Sequence, residues 1–143
     1  MKKILIYLMF TSFAYGVTET CPIMEGEEND PEESVVVEGK TIGFCCGSSV
    51  SKYEENKAYY IKAISALQKK FTDTELKKLG VDKVKLLEQR FCPIYPERII
   101  NPNSKTVEYK GKTIYLWSSS AVRRWKRDAD KYYSEAVDAG ILK

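Results

Sequence analysis

The chain has 143 residues, 43% of them hydrophobic and 12% aromatic, enough apolar material for one ordinary domain or two small units sharing a core. Its formal charge of +3 comes from 23 basic and 20 acidic residues spread along the chain, so no basic block neutralises a run of phosphates and nucleic acid is not an expected partner. Histidine is absent, which removes the usual general acid/base of neutral-pH catalysis and the imidazole metal ligand; any site must run on Cys, Asp, Glu, Lys or Tyr.

Residues 1–16 read as a signal peptide. Lys2 and Lys3 form a positive start, Ile4 to Phe13 is mostly apolar, and Ala14-Tyr15-Gly16 offers small residues at the two positions a signal peptidase inspects. Cleavage is expected after Gly16, giving a periplasmic or secreted protein. The apolar stretch falls short of the about 20 residues that a membrane span takes, so no span is expected after cleavage. Cys21 follows Thr18-Glu19-Thr20 and lacks the residues that precede a lipidated cysteine.

The remainder is written twice. Cys21-Pro22-Ile23 recurs as Cys92-Pro93-Ile94, and Pro31 as Pro102, at an offset of 71; after a one-residue insertion, Gly39-Lys40-Thr41-Ile42 recurs as Gly111-Lys112-Thr113-Ile114 at an offset of 72. The first module spans 17–71, and within it Val35-Val36-Val37 and Thr41-Ile42-Gly43-Phe44 flank a glycine turn, the pattern of a β-hairpin. A long helix should follow, with Ser48 or Ser49 as N-cap and Val50, Tyr53, Tyr60, Ile61, Ile64 and Leu67 on one face. That stripe is expected to be core.

Residues 72–91 should form a helical connector of two short helices. Thr72-Asp73-Thr74-Glu75 offers a capping box, Gly80 a break, and Val84, Leu87 and Phe91 continue a helical stripe. The second module, 92–143, repeats knuckle, hairpin (Thr106 to Tyr109 and Thr113 to Leu116) and long helix. Its cap is expected at Ser119 or Ser120, its stripe at Val122, Trp125, Tyr132, Tyr133, Ala136 and Ala139, and its stop at Gly140. The predicted fold class is therefore α+β, two repeated small modules joined by short helices.

Four cysteines in an exported chain are read first as disulfide partners. Adjacent Cys45 and Cys46 would make only a strained bridge with each other, which leaves Cys21–Cys45 with Cys46–Cys92, or Cys21–Cys46 with Cys45–Cys92. The competing reading is a metal site. Cys21 stands on a Cys-Pro knuckle and Cys45-Cys46 stand where a strand gives way to a helix, whose N-terminal amides favour thiolate and so raise affinity for a soft ion.

These residues resemble the YHS domain and its TRASH-like metal-binding relatives: Cys21-Pro22-Ile23-Met24, the Gly39 hairpin, Phe44-Cys45-Cys46, and Tyr53 at the aromatic position of the following helix. The resemblance covers Cys21 to about Ile64 and again Cys92 to about Val137. It implies binding of copper or zinc by the knuckle and helix-start cysteines, in the company of metal-transport proteins. Where the family usually carries a further cysteine this chain has Ser49, and in the second copy Trp117, Ser118 and Ala121 stand for Cys45, Cys46 and Ser49. Only Cys92 survives there, so the second module is degenerate.

The leading expectation is an exported soft-metal-binding protein, for handling or buffering Cu(I) or Zn(II), with Cys21, Cys45 and Cys46 as ligands and Cys92 as a candidate fourth. The alternative is a disulfide-stabilised interaction module without metal. An enzyme is not expected: the Cys-x-x-Cys spacing of thiol oxidoreductases is missing, and acyl transfer through a Cys–His or Ser–His pair needs a histidine. The acidic run of Glu25, Glu27, Glu28 and Asp30 reads as a solvated loop.

Overall fold

The structure, a computed structural model, describes residues 20–143; the expected leader over residues 1–16 lies outside them. Two antiparallel hairpins organise the chain. The first pairs β1 (Asp30–Val37) with β2 (Lys40–Phe44), and the second pairs β3 (Lys105–Tyr109) with β4 (Lys112–Leu116). Each turns through two residues in the left-handed region: Glu38 and Gly39 at φ 47 and 73, Lys110 and Gly111 at φ 49 and 72. Two successive positive φ values make a turn whose twist matches that of the strands, and glycine at the second position removes the steric penalty. The register follows directly, Val37 opposite Lys40 and Tyr109 opposite Lys112.

The helices depart from the sequence expectation. In place of one long helix, the first hairpin is followed by α1 (Gly47–Glu55), α2 (Lys57–Ala63) and α3 (Ser65–Gln68). The first break is at Asn56 (φ −143, ψ 49), whose side-chain amide donates to Asn101 Oδ1 at 3.3 Å. Asparagine is a weak helix former because such bonds compete with the backbone ladder, and the apolar stripe continues across the break and hides it. After further helices described below, the second hairpin leads into α5 (Ser119–Trp125) and α6 (Ala129–Asp138), interrupted where Asp128 leaves helical geometry and caps the Lys131 amide at 3.3 Å. The caps move as well: Cys46 takes the place expected of Ser48 or Ser49, and Ser118, accepting from Ala121 N–H, the place expected of Ser119 or Ser120. Gly140 ends α6 with φ 72, as its sequence position implies, whereas Ala139 is exposed and leaves the buried stripe.

Half of the connector is helical. The Thr72–Glu75 capping box starts α4 (Asp73–Lys78), and a single 3-10 turn, Val81–Lys83, follows Gly80. Beyond it no helix forms, because the chain is held extended against the second hairpin. Gln89 replaces a missing strand there: its Nε2 donates to Tyr115 carbonyl at 2.7 Å and its Oε1 accepts from Tyr115 N–H at 2.9 Å. Val84, Leu87 and Phe91 are half-buried along this extended path instead of lining a helix.

The two knuckles pair with one another, and this makes the core continuous. Ile99 N–H donates to Ile23 carbonyl at 3.0 Å, Glu25 N–H to Glu97 carbonyl at 2.8 Å, and Met24 bridges Arg98 between them. Ile23, Ile99 and Ile100 are buried here beside Phe44, Tyr53 and Tyr60. Tyr53 and Tyr60 stack at 6.4 Å, yet their hydroxyls differ. Tyr60 Oη donates to Ile99 carbonyl and accepts from Asn101 Nδ2, while Tyr53 Oη is buried with no hydrogen-bond partner among the described residues. A buried hydroxyl without a partner keeps its desolvation cost, so Tyr53→Phe is expected to stabilise the protein by about 1 kcal/mol in urea unfolding. A loss of that size would mean that the hydroxyl has a partner.

Candidate metal centre

The first knuckle is closed by hydrogen bonds that aim its side chains inward. Thr20 bridges Glu28, Cys21 N–H donates to Glu27 carbonyl at 2.8 Å, and Glu27 N–H to Met24 carbonyl at 3.3 Å. Gly26, at φ 86, makes the reversal sterically free. Cys21 and Met24 are consequently buried. Opposite them, β2 ends at fully buried Phe44, and Cys45 and Cys46 form the step into α1. Cys46 is the N-cap in extended geometry, its carbonyl accepting from Ser49 and Val50 N–H.

Cys45 is the centre of the sulfur contacts. Its thiol donates to Met24 Sδ at 3.5 Å, lies 3.7 Å from Cys46 Sγ and 3.4 Å from Ser49 Oγ, and interacts electrostatically with the Cys21 side chain. Burial, followed by the Cys21 and Cys46 thiols and against the Ser49 hydroxyl, pushes its pKa up to about 12. Cys46 goes the other way. Burial opposes its ionisation too, but hydrogen bonds from the Ser48 hydroxyl, the Ser49 amide and hydroxyl, and Cys45 outweigh it and lower the thiol to about 7.

The two adjacent thiols are thus chemically distinct. A small alkylating reagent is expected to modify Cys46 first, with a rate that rises with the thiolate fraction and levels off about one unit above pH 7. Cys45 and the fully buried Cys92 should remain unlabelled until the protein unfolds. Peptide mapping after brief labelling checks this; labelling of Cys92 before Cys46 would contradict it.

Cys92 occupies the second knuckle, where Cys92 N–H donates to Arg98 carbonyl at 3.0 Å and Phe91 bridges Ile99. Its Sγ accepts from Trp117 N–H at 3.4 Å, and burial raises its pKa. The Trp117 ring fills this junction, with the Arg98 guanidinium 5.7 Å from its centroid and 4.3 Å from that of Tyr95. Ser118 is spent on capping α5, and Ala121 is fully buried. None of the sulfur contacts made by Cys45 or Cys46 involves Cys92.

All four cysteines are free, so neither pairing expected from the sequence is present here. Among the described residues, no three Cys, Asp or Glu side chains already converge as a metal site. The sulfurs of Met24, Cys45 and Cys46 instead form a chain of contacts through Cys45. The donor set itself is soft, sulfur throughout, and therefore fits copper better than a hard cation. Glu25, Glu27, Glu28 and Asp30 are exposed, with Glu25 facing Arg90 at 3.8 Å, as a solvated loop would be.

Two members of this constellation escaped the sequence reading as site residues. In the sequence Met24 reads only as part of the knuckle, and Ser49 only as a cap or as the residue standing in place of a cysteine; the signal for Met24 is its place three residues after Cys21. Among the described residues no helix is long and apolar enough to cross a membrane. Comparison with family models, with curated proteins and with solved structures finds no match for this chain.

Proposed function

We propose that this chain is an exported, soft-metal-binding protein of two YHS-like modules, in which the first module holds one Cu(I) through Cys21, Cys45 and Cys46 and the second serves as its structural partner. The carrying observation is the set of sulfur contacts at Cys45, 3.5 Å from Met24 and 3.7 Å from Cys46, with the Cys21 side chain interacting electrostatically with it. Supporting the duplication, the bridges Thr20–Glu28 and Phe91–Ile99 and the bonds Cys21 N–H to Glu27 and Cys92 N–H to Arg98 are each related by the 71-residue offset. The same left-handed pair turns both hairpins.

Cu(I) is favoured over Zn(II) because a closed zinc site takes four ligands, and Cys92 is engaged with Trp117. A site with two partly accessible thiols, Cys45 and Cys46, suits handling or buffering of metal, with handover to a metal-transport protein.

The test is anaerobic titration of the reduced protein with Cu(I) against a chromophoric chelator. One tightly held ion per chain is expected. A reduced protein that leaves all copper with the chelator would sink this reading and favour the disulfide-stabilised interaction module.

A further inference from the structure

Resting on that reading, we propose that Met24 is a ligand of the same ion, so that the centre is three thiolates and one thioether, and that the second module's knuckle holds this thioether in place. The thioether sulfur lies 3.5 Å from Cys45 Sγ, and Cys46 Sγ lies 3.7 Å from it on another side. Four sulfurs placed tetrahedrally at a metal–sulfur bond of about 2.3 Å are about 3.8 Å apart. Both separations are within a few tenths of an ångström of that edge, so Met24 and Cys46 each stand at a distance from Cys45 that lets them share an ion with it.

The backbone of Met24 is fixed from the other half of the molecule. Met24 bridges Arg98, and the bonds from Ile99 N–H to Ile23 carbonyl and from Glu25 N–H to Glu97 carbonyl clamp it on both sides, at 3.0 and 2.8 Å. Methionine is the most adaptable of the apolar side chains, and a buried one commonly serves as filler. Here its sulfur points at a thiol and its main chain cannot slide. The second module, with Cys92 turned to Trp117, thus contributes by positioning a donor and not by giving a thiolate.

A thioether is a good ligand for Cu(I) and a poor one for Zn(II), so Met24 would make the centre discriminate between them. The chain has three methionines, and Met1 and Met9 both precede residue 17. In selenomethionine-labelled protein, X-ray absorption at the copper edge is expected to show a selenium neighbour, and zinc-loaded protein none. Met24→Leu, which nearly conserves volume, is expected to lower Cu(I) affinity about 10-fold or more and to leave Zn(II) affinity unchanged. Sulfur-only scattering from labelled protein that binds Cu(I) would overturn the role of Met24 while the three-cysteine reading stood. Failure of the unlabelled wild type to bind Cu(I) would remove both. Because the absorption measurement uses the wild-type side-chain set, it decides the matter even if Met24→Leu folds poorly.

Discussion

Cys45→Ser is expected to abolish Cu(I) binding by the reduced protein, with an affinity loss of at least about 100-fold, since loss of an outer-shell partner alone costs 10–100-fold and Cys45 is proposed as a direct donor. It touches both Cys46 and Met24 and interacts electrostatically with Cys21. Cys21→Ser should follow closely. Cys92→Ala is the control: its sulfur faces Trp117 N–H in the other knuckle, so copper affinity should be unaltered although some stability is lost. Chelator competition reads affinity, and circular dichroism confirms that each variant is folded. If instead the cysteines serve as bridges in the oxidised protein, Cys21→Ser would cost roughly 2–5 kcal/mol of stability and the reduced wild type would take up no copper.

Asn101→Ala is expected to destabilise the fold by about 2–4 kcal/mol, the range for breaking a buried polar network. Asn101 is fully buried and serves both halves at once. Its Nδ2 donates to Tyr60 Oη at 2.9 Å, and its Oδ1 accepts from Asn103 N–H at 2.8 Å and from Asn56 Nδ2. Its own N–H is held by Ser104 Oγ at 3.0 Å. Alanine would leave the buried Tyr60 hydroxyl without its Asn101 donor, would take from the Asn103 N–H its side-chain acceptor, and would free Asn56, the residue that breaks the first helical segment. Urea unfolding gives the magnitude; Tyr60→Phe should cost less, about 1 kcal/mol, because Asn101 keeps its other bonds. A cost below 0.5 kcal/mol for Asn101→Ala would mean that the network does not tie α2 to the second knuckle.

The sequence by itself determined the hairpins, because their signal is local. A glycine at the second turn position sits between β-prone runs, and the two-residue turn sets the register of the paired residues beside it, although the first hairpin shifts register between Asp30 and Ser34. The Thr72–Glu75 cap and the Gly140 stop were equally local, each satisfied within one helical turn.

What the tertiary structure decided depends on partners far away in the chain. Periodicity carried the stripe through Asn56 and through Asp128, because apolar spacing does not register a backbone polar group that finds a better partner. Asn101, 45 residues on, breaks the first helix, and the capping bond of Asp128 divides the second. Gln89 likewise turns a helical pattern into an extended one by pairing with the edge of β4. The direction of Cys92 and of Met24 follows from knuckle-to-knuckle pairing, which fixes one sulfur against Trp117 and the other against Cys45. Residue spacing limits which side chains can share a surface, but long-range hydrogen bonds choose which of them meet, since only the folded chain can satisfy the polar groups it has buried.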